Sequence, residues 1–244
     1  MKITNEWIKS QVETLWNQIP FKFKEESDFF VDVDSFNNIS TYKDKIVFLM
    51  RRYNLPYENV NIYMYSGLDK PGFVQLQKHF DTEKVELTPG QQIISIQNDG
   101  TYLISDYNNP TGPIVIKVNN PPSLISQSIS IFLNQDFLYS KEIMGAIIAH
   151  EISHVYLYFN RLQQFNSSNE INNDEEELRT DITAFAIGLG ALMLRGCKPD
   201  IRTYHRSDKI IKTSTKIGYL PIEQMNFVHN LIVAKIKALT TRCT

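Results

Sequence analysis

The chain has 244 residues, 42% of them hydrophobic and 21% charged, an ordinary globular composition with enough material for one sizeable core. A formal net charge of -2 argues against a nucleic-acid partner held by bulk electrostatics, and no stretch of about 20 apolar residues offers a membrane span. Cys197 and Cys243 stand far apart and outside any metal-ligand spacing, and Met1 to Asn5 lead into a polar-interrupted segment unlike a signal peptide, so a cytoplasmic protein is expected.

Trp7, Ile8, Val12, Leu15 and Trp16 recur at helical spacing and predict an amphipathic helix over 5–19 that stops before Pro20. Residues 21–38 are aromatic, acidic and irregular, which reads as a loop with a short strand around Phe29, Phe30 and Val31. A second helix, capped by Ser40 or Thr41, puts Ile46, Val47, Leu49, Met50 and Tyr53 on its buried side and stops before Pro56. Strand patterning then takes over. Residues 59–65 alternate, a short segment follows at 73–80, and 91–97 and 101–107 flank Asn98, Asp99 and Gly100 as a hairpin. A further strand over 112–118 is closed by Pro121 and Pro122. The expectation is an α+β chain of one domain: helical over 1–55, a small and mostly antiparallel sheet over 59–119, and helices beyond.

Ser140 caps the next helix, which runs to about Phe159 and is apolar on nearly every face. Inside it stand His150, Glu151, Ile152, Ser153 and His154. At 3.6 residues per turn the two histidines share a face and can reach a single metal ion, with Glu151 beside it. After a polar linker at 160–173, suited to a mobile loop beside a cleft, the acidic run Asp174 to Glu177 opens another helix whose apolar body, Ile182 to Leu194, ends at Gly196. Glu175 and Glu176 read as a solvated first turn. Glu177 and Asp181 lie four apart on one face, and the run that follows Asp181 must be buried. A catalytic zinc takes three protein ligands and keeps one position for water, and two histidines with a glutamate are a recurrent set, so Glu177 is the expected third ligand. Asp181 is placed to accept a hydrogen bond from the distal ring nitrogen of a ligating histidine. The basic, polar segment from Arg202 to Lys212 reads as solvated surface, and Pro221 opens a last helix with Ile222, Met225, Val228, Ile232 and Ile236 on its packed face. His229, in that helix, is expected to pack.

The pattern of His150, Glu151 and His154 followed by Glu177 and Asp181 resembles the gluzincin metallopeptidases, the thermolysin-like group, in their compact bacterial form. The resemblance covers residues 143–196 and implies a zincin-like fold whose metal helices span 140–196, with residues 197–244 as a helical C-terminal part. It implies zinc held by His150, His154 and Glu177, with Glu151 taking a proton from water and passing it to the leaving amine of a cleaved peptide bond. It also implies a protein or peptide substrate laid as an extra strand on an open sheet edge, sought here among residues 91–119. A downstream donor stabilising the oxyanion is expected in such enzymes, and His205, Tyr204 and Tyr219 are candidates by position alone. His205 otherwise reads as a solvated loop residue. A different class of function remains open beside hydrolysis: a catalytically silent, metal-stabilised binding or regulatory module on a peptidase scaffold. A metal-free structural protein is the third reading. Neither the substrate nor the oligomeric state is legible in the residues.

Overall fold

The computed structural model describes residues 3–19, 26–58, 60–66, 71–80, 91–96, 101–106, 114–117, 124–138, 140–160, 162, 173–197, 200–206, 209–215 and 218–241. It is an α+β chain in which helices dominate. The described backbone divides into two compact units, residues 1–75 with 130–244 and residues 76–129.

The first unit opens with α1 (Asn5–Gln18), which starts where the Thr4 hydroxyl accepts from the Trp7 amide at 3.2 Å and buries Ile8, Val12 and Leu15 against two later helices. The strand expected at Phe29 to Val31 is not there. Glu26–Phe29 form a short helix, α2, and the Asp32 carboxylate accepts from the Ser35 amide at 2.8 Å to start α3 (Val33–Asn38). Between them the Val31 amide donates to the Gly188 carbonyl at 3.0 Å. Thr41 caps α4 (Tyr42–Arg52), with Asp44 returning a carboxylate to the Thr41 hydroxyl, and Ile46, Leu49 and Met50 are fully buried.

Strands form at 60–65, 91–96, 101–106 and 114–117 where the alternating runs predicted them, the segment at 73–80 is a strand too, and the strand at 124–134 was not expected. β1 (Val60–Tyr65) and β2 (Gly72–Phe80) flank β6 (Leu124–Asn134), giving a mixed sheet in the order β1-β6-β2. In β6, Ile129, Ile131 and Leu133 alternate into the core, while Phe132 on the other face stacks between Tyr63 and Phe73 at 4.9 and 4.4 Å. The second unit contains β3 (Gln91–Ile96), β4 (Thr101–Asp106) and β5 (Ile114–Lys117), paired antiparallel in that order. This is the expected hairpin with its added strand, although its turn at Asn98 to Gly100 lies outside the described residues.

α5 (Lys141–Phe159) begins at Ser140, whose hydroxyl accepts from the Ile143 amide at 3.1 Å, and almost all of its surface is buried. The single helix expected from Asp174 to Gly196 is instead two, α6 (Asn173–Ala186) and α7 (Gly190–Gly196). The break is at Gly188, whose φ of +91° is a left-handed conformation, and a Cβ there would stand 2.0 Å from the Phe29 carbonyl oxygen. Doubling back at this point lets α6 and α7 both pack on α5. The region after Gly196, expected as helical, first forms the antiparallel pair β7 (Asp200–Arg206) and β8 (Lys209–Thr215) and only then α8 (Ile222–Thr240), which buries Met225, Val228, Ile232 and Ile236. No helix among the described residues is long and apolar enough to cross a membrane.

Candidate metal centre

A helix buried on nearly every side must satisfy its polar groups from its neighbours, and α5 carries His150, Glu151 and Ser153 within its core-facing turns. Ser153 satisfies itself by donating to the Ala149 carbonyl at 2.8 Å. The two histidines are met by α6. His150 Nε2 lies 3.0 Å from Glu177 Oε2, His154 Nε2 lies 3.2 Å from the same oxygen, and the two Nε2 atoms are 3.2 Å apart. Three donor atoms therefore form a near-equilateral triangle. A tetrahedral ion with bonds of about 2.0–2.1 Å holds its ligand atoms about 3.3 Å apart, so this triangle matches one face of such a tetrahedron to within a few tenths of an ångström. His150, His154 and Glu177 thus form a group able to hold a metal ion.

The electrostatics carry the same demand. Burial disfavours the His150 imidazolium, but hydrogen bonds to Asp181 and Glu177 and the surrounding negative charge outweigh it and hold its pKa well above the usual histidine range. Burial pushes Glu177 upward, yet the hydrogen bonds and charge of His150 and His154 hold its carboxyl far below the usual carboxylate range. Lone pairs converging on one point call for a positive charge between them. A positive charge there, a proton or a metal ion, eases the repulsion among them.

Asp181 stands behind His150. It is fully buried, and its Oδ1 accepts from His150 Nδ1 at 2.8 Å. Its other oxygen does something the residue spacing did not foretell: Oδ2 accepts from the backbone amides of Tyr219 and Leu220 at 2.5 and 2.8 Å. The turn that aims these amides needs Gly218, whose φ is +83° and whose missing Cβ would sit 3.1 and 3.3 Å from the two Asp181 oxygens. Gly218→Ala is expected to cost roughly 1–2 kcal/mol in urea unfolding through the left-handed strain alone. It is also expected to weaken metal retention because the added methyl group presses on Asp181; unfolding and metal content equal to those of the unsubstituted protein would contradict this account.

Glu151, 3% exposed, projects from α5 toward β2. A Cβ at Gly72 would lie 2.7 Å from its Oε1 and 3.1 Å from the Phe132 carbonyl oxygen, so a larger residue there would have to displace the carboxylate. The sheet element beside Glu151 is therefore the start of β2, at one end of the β1-β6-β2 order, whereas residues 91–117 belong to the other unit. Of the downstream donor candidates, Tyr219 reaches the site: its ring lies 6.0 Å from that of His150 and within 23° of parallel. Burial and then the charges of Glu177, Asp181 and Glu151 raise its phenol pKa. The side chains of Tyr204 and His205, on β7, fall outside the described part of the structure, as does the linker at 163–172. His229 packs as expected, with its ring 5.8 Å from Phe30 and 6.3 Å from Phe185.

Three participants escaped the sequence reading: Gly72, Gly218 with the amides it aims, and Thr180, whose hydroxyl lies 3.2 Å from His154 Nδ1. Glycine and threonine carry no signal of their own there; only Thr180 stood within reach of inference, because it precedes Asp181 on the same turn. No protein-family model, curated protein or solved structure matches the chain.

Proposed function

We propose that the chain is a zinc-dependent peptidase of gluzincin type with a zincin-like fold, hydrolysing peptide bonds in a protein or peptide substrate in the cytoplasm. The observation that carries the reading is the triangle of His150 Nε2, His154 Nε2 and Glu177 Oε2, with Glu151 one residue along the same helix. Two imidazoles and one carboxylate at these separations suit a borderline-soft ion of tetrahedral preference, and they leave a fourth position for water.

Zinc held there would supply Lewis acidity for the scissile carbonyl and ease deprotonation of water. The chain's own residues do the rest. His150 and His154 are turned with Nε2 inward by partners on their Nδ1 atoms, and Glu177 offers its charge from the facing helix. Glu151 accepts the proton that water loses as its oxygen bonds to the carbonyl carbon, then returns that proton to the amine nitrogen as the carbon–nitrogen bond breaks. Near-complete burial of Glu151 keeps its carboxylate poorly solvated, which favours proton exchange with a reacting group over exchange with bulk water. Tyr219 is 40% exposed with its ring 6.0 Å from that of His150, which supports it as the donor that would meet the developing oxyanion.

Metal analysis of the freshly purified protein beside Glu177→Ala tests the foundation. About one zinc per chain, lost or sharply weakened in the variant, is expected. No zinc in the unsubstituted protein even after reconstitution would remove the proposal, since every later step depends on that ion.

A further inference from the structure

We propose that Thr180 is a positioning residue that fixes the orientation and tautomer of His154, and so sets metal affinity together with Asp181. This rests on the metal-site reading above. Thr180 is fully buried on α6, next to Asp181 and one turn beyond Glu177. Its hydroxyl has a single proton, and that proton goes to the Glu176 carbonyl one turn back, at 2.9 Å. At the second contact, 3.2 Å from His154 Nδ1, Thr180 Oγ1 must therefore accept, and His154 must donate. Nδ1 carries the hydrogen. Nε2, 3.2 Å from both Glu177 Oε2 and His150 Nε2, is then the nitrogen whose lone pair is available to a cation held among the three atoms.

His150 is oriented the same way by a different acceptor, the carboxylate of Asp181. Two adjacent residues of α6 thus steer the two histidines of α5, and the ligand Glu177 lies one turn before them. The acceptors differ in charge: an anion behind His150 makes it the more basic ligand, while a neutral hydroxyl behind His154 orients without adding charge. Threonine suits this post better than a longer polar side chain. Its branched Cβ limits χ1, and the helix carbonyl holds the hydroxyl proton out of the way.

Thr180→Val removes the acceptor at nearly constant shape, Thr180→Ala removes it with a small void, and Thr180→Ser restores it. Zinc affinity is read by chelator competition, and the His154 Nδ1 proton by ¹H–¹⁵N correlation in the zinc-loaded protein. Affinity about 10–100-fold weaker in the Val and Ala variants and near the original value in the Ser variant is expected. The Nδ1 proton is expected to be protected from exchange in the original and Ser proteins and to exchange rapidly in the other two. If the Val variant does not fold, Ala against Ser decides. Zinc affinity unchanged in the Ala or Val variant, even with lowered stability, would reduce Thr180 to a packing residue and overturn the proposal. Failure of the unsubstituted protein to bind zinc at all would instead remove the metal-site reading, a separate result.

Discussion

Asp181→Ala is expected to be the most destabilising single substitution at the site, by about 3–9 kcal/mol in urea unfolding of the metal-free protein. The figure follows from three donors losing their acceptor together: His150 Nδ1 and the amides of Tyr219 and Leu220. Each buried donor left without an acceptor costs about 1–3 kcal/mol. Asp181→Asn separates charge from shape. Its amide group must face either the two backbone amides, donor against donor, or His150, where it would force the ring into the tautomer with hydrogen on Nε2. That hydrogen would point at the metal position. Metal affinity at least 10–100-fold weaker is therefore expected for the Asn variant as well. Zinc content and stability close to those of the unsubstituted protein would show that Asp181 is a bystander.

Glu151→Gln is expected to lower turnover by about 10²–10⁴-fold while leaving the zinc content unchanged, because glutamine keeps the shape but cannot take a proton. Glu151 is next to His150 in sequence yet outside the ligand triangle, so metal retention and proton transfer should come apart in this variant. Digestion of an unstructured protein such as casein, followed by metal analysis of the same sample, makes the measurement. Full activity in the variant would end the assignment of Glu151 as general base. Bound zinc with no turnover in either protein would favour a capture module in place of a peptidase.

The parts of the site that were legible in the residues are those in which a polar side chain interrupts an apolar helix at a repeat of four. His150 with His154 on α5 and Glu177 with Asp181 on α6 satisfy that condition, and the structure brings all four together. The break at Gly188 was not legible, because Ile182 to Leu194 stays apolar across it and the reason for the left-handed turn is the distant Phe29 backbone. The central strand β6 was not legible in spite of the period of two at Ile129, Ile131 and Leu133, because Phe132 puts a large apolar residue on the opposite face and breaks the alternation. β7 and β8 were hidden by their basic and threonine-rich composition, which suits a strand with a wet face as well as it suits a loop. The second carboxylate oxygen of Asp181 binds main-chain amides, and main-chain amides leave no trace in residue type.

That last contact bears on when the protein becomes able to act. A nascent chain leaves the ribosome from its amino end, so the two motif-bearing helices emerge well before the turn at 218–220. Until that turn arrives, Asp181 has His150 but neither of the amides that hold its other oxygen. Its carboxylate can then swing, and the imidazole it steers can swing with it. The half-made polypeptide would carry the whole motif while Asp181 still lacks two of its three donors. Under the proposed function, metal capture that waited for this turn would keep the centre dormant while unfolded neighbours, its own trailing segment included, are still within reach.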